Sequence, residues 1–566
     1  MKRSLLPWLT LLPAVASALT ACSHKLYDTP VFAYFNYTGH DQRYDVEFNP
    51  ATQYLNPILS GCAPDPSICR KGDDYYLANS SFAYYPGIPI WHSRDLVNWQ
   101  QVGYALNRPE QLNIKEGLRI SAGIYAPDLK YNPANDTFYL IVTGVGCGGN
   151  FFMKTSDPAQ GWSDPIALPE VGGIDPSFLF DADGKAYIVN NDAPAYTAEY
   201  DGHRAIWIRE FDTATDRVCS PATVLVDKGV HPDEKPIWIE GPHLYHIGDH
   251  YYLMSAEGGT GDWHSEVIFR SDSPMGPFEP CTTNPILTQR TLPHNRLNPV
   301  TSAGHADLVQ DGDGQWWAVF LGCCTYEGDE YYNTGRSTFL LPVTWNDEQP
   351  VILPDGEAIP TVVDKANLTP QSSLRTGNGA YAEDFTAEKQ LDLGWFFLRT
   401  PLTSWYSFLA DGIAIKAQPV ALSEERQPAM ICRWLKHDTF EAETSVRFTP
   451  QSNHSFAGLA CFQNEHAYYT VGKTIDAEGQ TAVKLISSTK EGVKVIATAS
   501  LPGVKANATL YLRVEAQGSR YQFYYALKRG AWTAIGEPVD GKVLSTKYAG
   551  GFTGAVIGLY ASSAND

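Results

Sequence analysis

The chain has 566 residues, 43% of them hydrophobic, which is too long for one ordinary core and apolar enough for two. A net charge of −21 with no long basic run excludes nucleic acid and an anionic membrane surface as natural partners, and a neutral substrate fits better. The 14 Trp, 32 Tyr and 24 Phe suit stacking on a ligand, although β-rich proteins carry such residues for packing alone.

The first 22 residues, MKRSLLPWLTLLPAVASALTAC, combine a short basic start, an apolar stretch and small residues at the end. That layout predicts a signal peptide over 1–22 and an exported protein: periplasmic, at the cell surface or secreted. The run LTAC resembles a lipoprotein box with Cys22 as the lipid attachment point, while the preceding ASA suits an ordinary signal peptidase. No later stretch reaches the ~20 apolar residues that a membrane helix needs. The other cysteines, with the adjacent pair Cys323 and Cys324, define no disulfide framework.

From about residue 30 to 345 one phrase recurs five times: GDDYYLA, NDTFYLI, DGKAYIV, GDHYYLM and DGQWWAV. Each is a tight polar turn followed by an alternating strand, the signature of a hairpin. The shared aromatics, Tyr76, Tyr139, Tyr187, Tyr252 and Trp317, are 48 to 65 residues apart, room for a four-stranded sheet and its loops. Five such sheets predict a five-bladed β-propeller. A segment at 346–374 reads as a linker, and short strands from 375 to 566 read as an antiparallel β-sandwich. The fold class is therefore all-β.

Eleven or twelve residues before the shared aromatic stand Asp65, Asp175, Glu240 and His305. At the start of each innermost strand they would converge on one end of the propeller axis. Asp-Pro is a common turn former, so Asp65 or Asp175 alone would more often be structural, and His305 alone would more often be a core histidine. Glu240, set in WIEGPHLY among apolar neighbours, is the harder one to dismiss, because such surroundings raise a carboxyl pKa as a general acid requires. Paired carboxyls on either side of a sugar ring are the minimum equipment for glycoside hydrolysis. Asp128 in APDL falls two places out of register and reads as structural or as a support behind the site. His264 and Cys147 show no metal-ligand spacing.

The ordered motifs NPILSGCAPDPSICRKGDDYYLANSSFAYYPGIPIWHSRDLVNW, GIYAPDL, GIDPSFLFDADGKAYIV, EGPHLYHIGDHYYLMSAEGGT, AGHADLV and GRSTFLLPVTW resemble the β-xylosidase and α-L-arabinofuranosidase branch of glycoside hydrolase family 43. GFTGAVIGLYAS (551–562) is similar to the end of its concanavalin-like jelly-roll sandwich. The resemblance implies an inverting, exo-acting hydrolase that releases terminal D-xylose or L-arabinofuranose from hemicellulose oligosaccharides. It places the general base on Asp65, the general acid on Glu240 and the acid that tunes it on Asp175. Ring contacts would fall on Phe82, His305 and Arg336. Tyr125 stands where the family usually has Trp, and Ile174 where related xylosidases often have Phe, both bordering the sugar pocket. No organic cofactor or catalytic metal is implied; a structural calcium is compatible, but no ligand run announces it. The rival reading is a non-catalytic carbohydrate-binding propeller.

Overall fold

The computed structural model describes residues 28–111, 114, 116–327, 331–368 and 376–564. The expected signal segment, with Cys22, lies outside them. Each recurring polar turn closes an antiparallel hairpin, and each contains one left-handed residue: Gly72, Asp136, Gly184, Gly248 or Gly314. Such turns match the twist of the strands they join, which is why glycine and aspartate recur there. The hairpins seed five sheets. Their innermost strands are Ser67–Lys71, Gly123–Asn132, Ile174–Phe180, Glu240–Ile247 and Val300–Gln310.

The fifth blade has three named strands, Val300–Gln310, Trp316–Cys324 and Arg336–Pro342. The chain just before blade 1 completes it: Leu59 and Thr338 exchange both backbone hydrogen bonds, and the Asn56 side chain bonds the backbone on both sides of Leu340. The ring is thus closed by pairing its two ends, which removes the open edge that a linear array of sheets would leave.

Two expected boundaries are corrected. The strand Val31–Gly39 belongs to the sandwich, where it pairs with Ala380–Asp384, Gly412–Ile415 and Thr439–Arg447, so the propeller begins near residue 53 and not 30. Its inward residues Phe32, Phe35 and Tyr37 bury themselves in the sandwich core, and that burial decides its allegiance. The supposed linker also packs down. Val362–Asp364 pairs with Gln53–Leu55, and Ile352, Leu353, Ile359, Val363 and Leu368 join the core between blades.

The sandwich consists of a nine-stranded and an eight-stranded sheet. The last strand of the eight-stranded sheet is borrowed: Tyr84–Tyr85, from blade 1, pairs with Phe396–Leu398. Arg399 follows at once, buried, donating to the carbonyls of Leu118 and Arg426 and pairing with Glu465, and its own N–H bonds Ala83. The two domains are therefore interlocked beside residue 82. All nine described cysteines, Cys323 and Cys324 included, are free thiols.

Candidate active site

Every innermost strand carries a kink, just before it in blade 1, at its second residue in blades 3 and 4, and inside it in blades 2 and 5. Asp65, Ala126, Asp175, Gly241 and His305 have φ of 51°, 29°, 54°, 55° and 53°. Strand pairing slips across this point in blades 2 to 5. A left-handed non-glycine residue costs about 1–3 kcal/mol, aspartate tolerating it best, and such strain clusters where function holds it in place. The kinked residues form an upper ring on the axis. Two residues further on, Ser67, Asp128, Ser177, His243 and Asp307 form a lower ring, and members of both line one narrow axial cavity.

Glu240 departs from the expected register. The kink in blade 4 falls on Gly241, so Glu240 precedes it by one residue and stays half-buried, while Asp65 and Asp175 are buried. Only glycine fits at 241: a Cβ there would lie 2.6 Å from Nε2 of His305. His305 is thereby pressed against the backbone that carries the acid.

The ring of side chains is bonded unequally. Asp65 accepts from Nη1 of Arg336 at 2.9 Å and from the Ser80 hydroxyl at 2.5 Å, with Nδ1 of His305 3.7 Å away. Burial pushes its carboxyl up, but Arg336, His305 and Ser80 outweigh that and hold it below the usual range. Among the described residues Asp175 has one donor, the N–H of Gly241 at 3.1 Å. Burial, then the charge of Asp65, raises it to about 7. The Glu240 carboxyl accepts no hydrogen bond from the described residues; burial first, then Asp175 and Asp65, lift it well above its ordinary value. Burial lowers His305 to about 4, which leaves it neutral.

Aromatic rings wall this cluster. The guanidinium of Arg336 lies 6.0 Å from the Phe82 ring and 5.9 Å from Phe552, and Tyr125 meets both edge-on at 5.6 and 5.7 Å. The hydroxyl of Tyr125 donates to Ser121 O at 2.7 Å. The structure thus gathers all seven expected residues: Asp65, Phe82, Tyr125, Asp175, Glu240, His305 and Arg336. It adds two that sequence reasoning missed. Ser80 holds Asp65 while accepting the N–H of Ala126, and Phe552 reaches in from the sandwich, its carbonyl taking an N–H of Arg336 at 3.4 Å. The phrase SSF next to the predicted ring contact pointed towards Ser80; nothing local marks Phe552.

The lower ring stitches blades together. Asp307 accepts the N–H of Ile68, Asp128 that of Phe178, and the Ser67 hydroxyl that of Leu129, each a bond to a neighbouring blade. Asp128 is structural, as its register suggested. Asp128, His243 and Asp307 hold three donor atoms within 4.8 Å of one another, the one group among the described residues where a structural calcium can be tested. Lys130 already fills that place, with Nζ 2.8 and 2.9 Å from the oxygens of Asp307 and 3.3 Å from Asp128. Calcium takes six to eight oxygen ligands, and two carboxylates shared with an ammonium do not fit it.

The model of the glycosyl hydrolases family 43 matches residues 54–350, and that of the beta xylosidase C-terminal concanavalin A-like domain matches 382–566. A non-reducing end alpha-L-arabinofuranosidase of Bacteroides ovatus is 36% identical over 90% of this chain and 91% of its own length. A xylosidase/arabinosidase of Butyrivibrio fibrisolvens is 35% identical over 90% and 95%. A crystal structure of a GH43_12 protein retrieved from a capybara gut metagenome superposes with a TM-score of 0.87 at 40% identity, covering 94% of this chain and 100% of that one. With its propeller, its sandwich and the acids at its axis, this chain belongs to glycosyl hydrolases family 43.

Proposed function

We propose that the protein is an exo-acting, inverting glycoside hydrolase that releases terminal D-xylose or L-arabinofuranose from hemicellulose oligosaccharides. One observation carries the reading: Asp65 is held by donors from Arg336 and Ser80 while the Glu240 carboxyl accepts none from the described residues, which displaces the first carboxyl downward and the second upward. Asp65 is then a carboxylate at neutral pH and takes a proton from the water that attacks the anomeric carbon. Glu240 keeps its proton and gives it to the departing glycosidic oxygen. Asp175 sets the acid's pKa and, through Gly241, its position. Arg336 and His305 donate to sugar hydroxyls, and Phe82, Tyr125 and Phe552 shape the apolar wall. Closure of that wall by a sandwich residue favours removal of a chain end over internal cleavage. The names borne by the relatives support a pentose. The chemistry calls for no organic cofactor and no metal. The pattern of residues 1–22 supports export, with Cys22 as a lipid anchor.

Proton NMR of the hydrolysis of an aryl β-D-xyloside and an aryl α-L-arabinofuranoside tests this. The expected result is release of pentose from at least one, first in the anomeric form opposite to the substrate's. No release from either, or retained configuration, overturns the proposal.

A further inference from the structure

The rim beside Glu240 carries groups that the chemistry above leaves unused. Trp238 lies two residues before the acid, half-buried, its backbone N–H donating to Gly202 O at 2.8 Å. The guanidinium carbon of Arg204 sits 4.1 Å from the centroid of its indole. One N–H of Arg204 goes to the His203 carbonyl at 3.0 Å, and among the described residues the guanidinium joins no ion pair. Its charge still reaches Glu240, where it opposes the upward displacement of the carboxyl. The loop 258–264 packs on the same place. Gly258 N–H donates to Ile237 O at 2.9 Å, and a Cβ on Gly259 would meet the Trp238 indole at 3.5 Å. At the end of this loop Trp263 is 71% exposed.

Stacking on an indole pins a guanidinium flat and leaves its N–H edge free for oxygen acceptors. An exposed indole offers a flat apolar face to the C–H face of a sugar ring. A general acid must sit on the leaving-group side of the bond it breaks, so groups clustered at Glu240 face the departing portion of the substrate. The chain as a whole is strongly acidic, so a neutral ligand suits the rim. Resting on the hydrolase reading, we infer that Arg204, Trp238 and Trp263 form leaving-group subsites for a neutral oligosaccharide of at least two sugars beyond the cleaved bond.

The test compares kcat/KM on an aryl pentoside with that on xylotetraose, or on the arabinofuranosyl counterparts of both. Trp263→Ala should lower the ratio of oligosaccharide to aryl efficiency about tenfold, the loss of one stacked ring, and Arg204→Ala should lower it by a similar factor. An unchanged ratio in both variants overturns the subsites. Calorimetry of xylotetraose binding to the Asp65→Ala protein, with and without Trp263→Ala, reads the same contacts without turnover. Binding that is weakened about tenfold supports them even if wild-type protein releases no pentose and the hydrolase reading fails; binding indifferent to Trp263 overturns them.

Discussion

The two rings on the propeller axis lie two residues apart on the same strands, yet their carboxyls are treated in opposite ways. In the lower ring Asp307 accepts from Lys130, from the Tyr245 hydroxyl at 2.7 Å, from Ser67 and from the N–H of Ile68. Burial works against its charge, but His243 and Lys130 hold it far below the usual carboxylate range. In the upper ring Asp175 accepts the N–H of Gly241 alone among the described residues, and Glu240, one residue before that ring, is left to burial and like charges. Saturating a buried carboxylate with donors makes a rivet; withholding them makes an acid with a proton to give. The upper ring also keeps one carboxylate, Asp65, by spending a guanidinium on it.

The largest break in that contrast comes from Asp65. Asp65→Ala removes the base, which is needed whatever group departs. Its kcat/KM should fall by roughly 10³–10⁴-fold on aryl and alkyl pentosides alike. Glu240→Ala should be as severe on an alkyl or oligosaccharide substrate but at least about tenfold milder on an aryl glycoside, whose phenolate leaves unaided. Equal losses of Glu240→Ala on both substrates, with aryl activity surviving in Asp65→Ala, would reverse the two roles.

The lower ring should respond in stability first. Asp307→Asn leaves the Lys130 ammonium without its main partner in a buried site, at a cost of roughly 3–5 kcal/mol. Thermal unfolding of the propeller should show that loss. The limbs of the pH profile of kcat/KM should stay in place, because the main causes that displace Asp65 and Glu240 are burial and upper-ring neighbours and do not include Asp307. A profile displaced as far as the upper-ring variants displace it would mean that the rings are not separable.

Much of this was legible in the chain because the repeat is local. A turn residue and an alternating strand sit within a few positions of each other, so five hairpins, and the offset of eleven or twelve residues that places Asp65, Asp175, Glu240 and His305, can be counted. The one-residue displacement of Glu240 could not, because it depends on Gly241 taking the left-handed kink that an aspartate or histidine takes in its neighbours. The allegiance of Val31–Gly39 was hidden for a different reason: alternation announces a strand but not its partner, here more than 340 residues away in sequence. Phe552 was unreadable because its role exists only once the sandwich docks on the propeller.

The finest probe of the comparison is Asp175, the upper-ring residue midway between rivet and acid. Its carboxyl is raised to about 7 by burial and by Asp65, and it in turn raises Glu240. A negative neighbour disfavours ionisation of Glu240, so neutralising that neighbour lowers the Glu240 pKa. Glu240 acts only while protonated, and its protonated form would then be lost at a lower pH. Asp175→Asn, which keeps an acceptor for the N–H of Gly241, should therefore move the alkaline limb of kcat/KM downward by about one pH unit, while the acid limb set by Asp65 moves less. The maximal rate should fall by less than in Glu240→Ala, since the acid remains in place. An alkaline limb that stays fixed, or moves upward, would show that Asp175 acts on the backbone at Gly241 and not on the proton of Glu240.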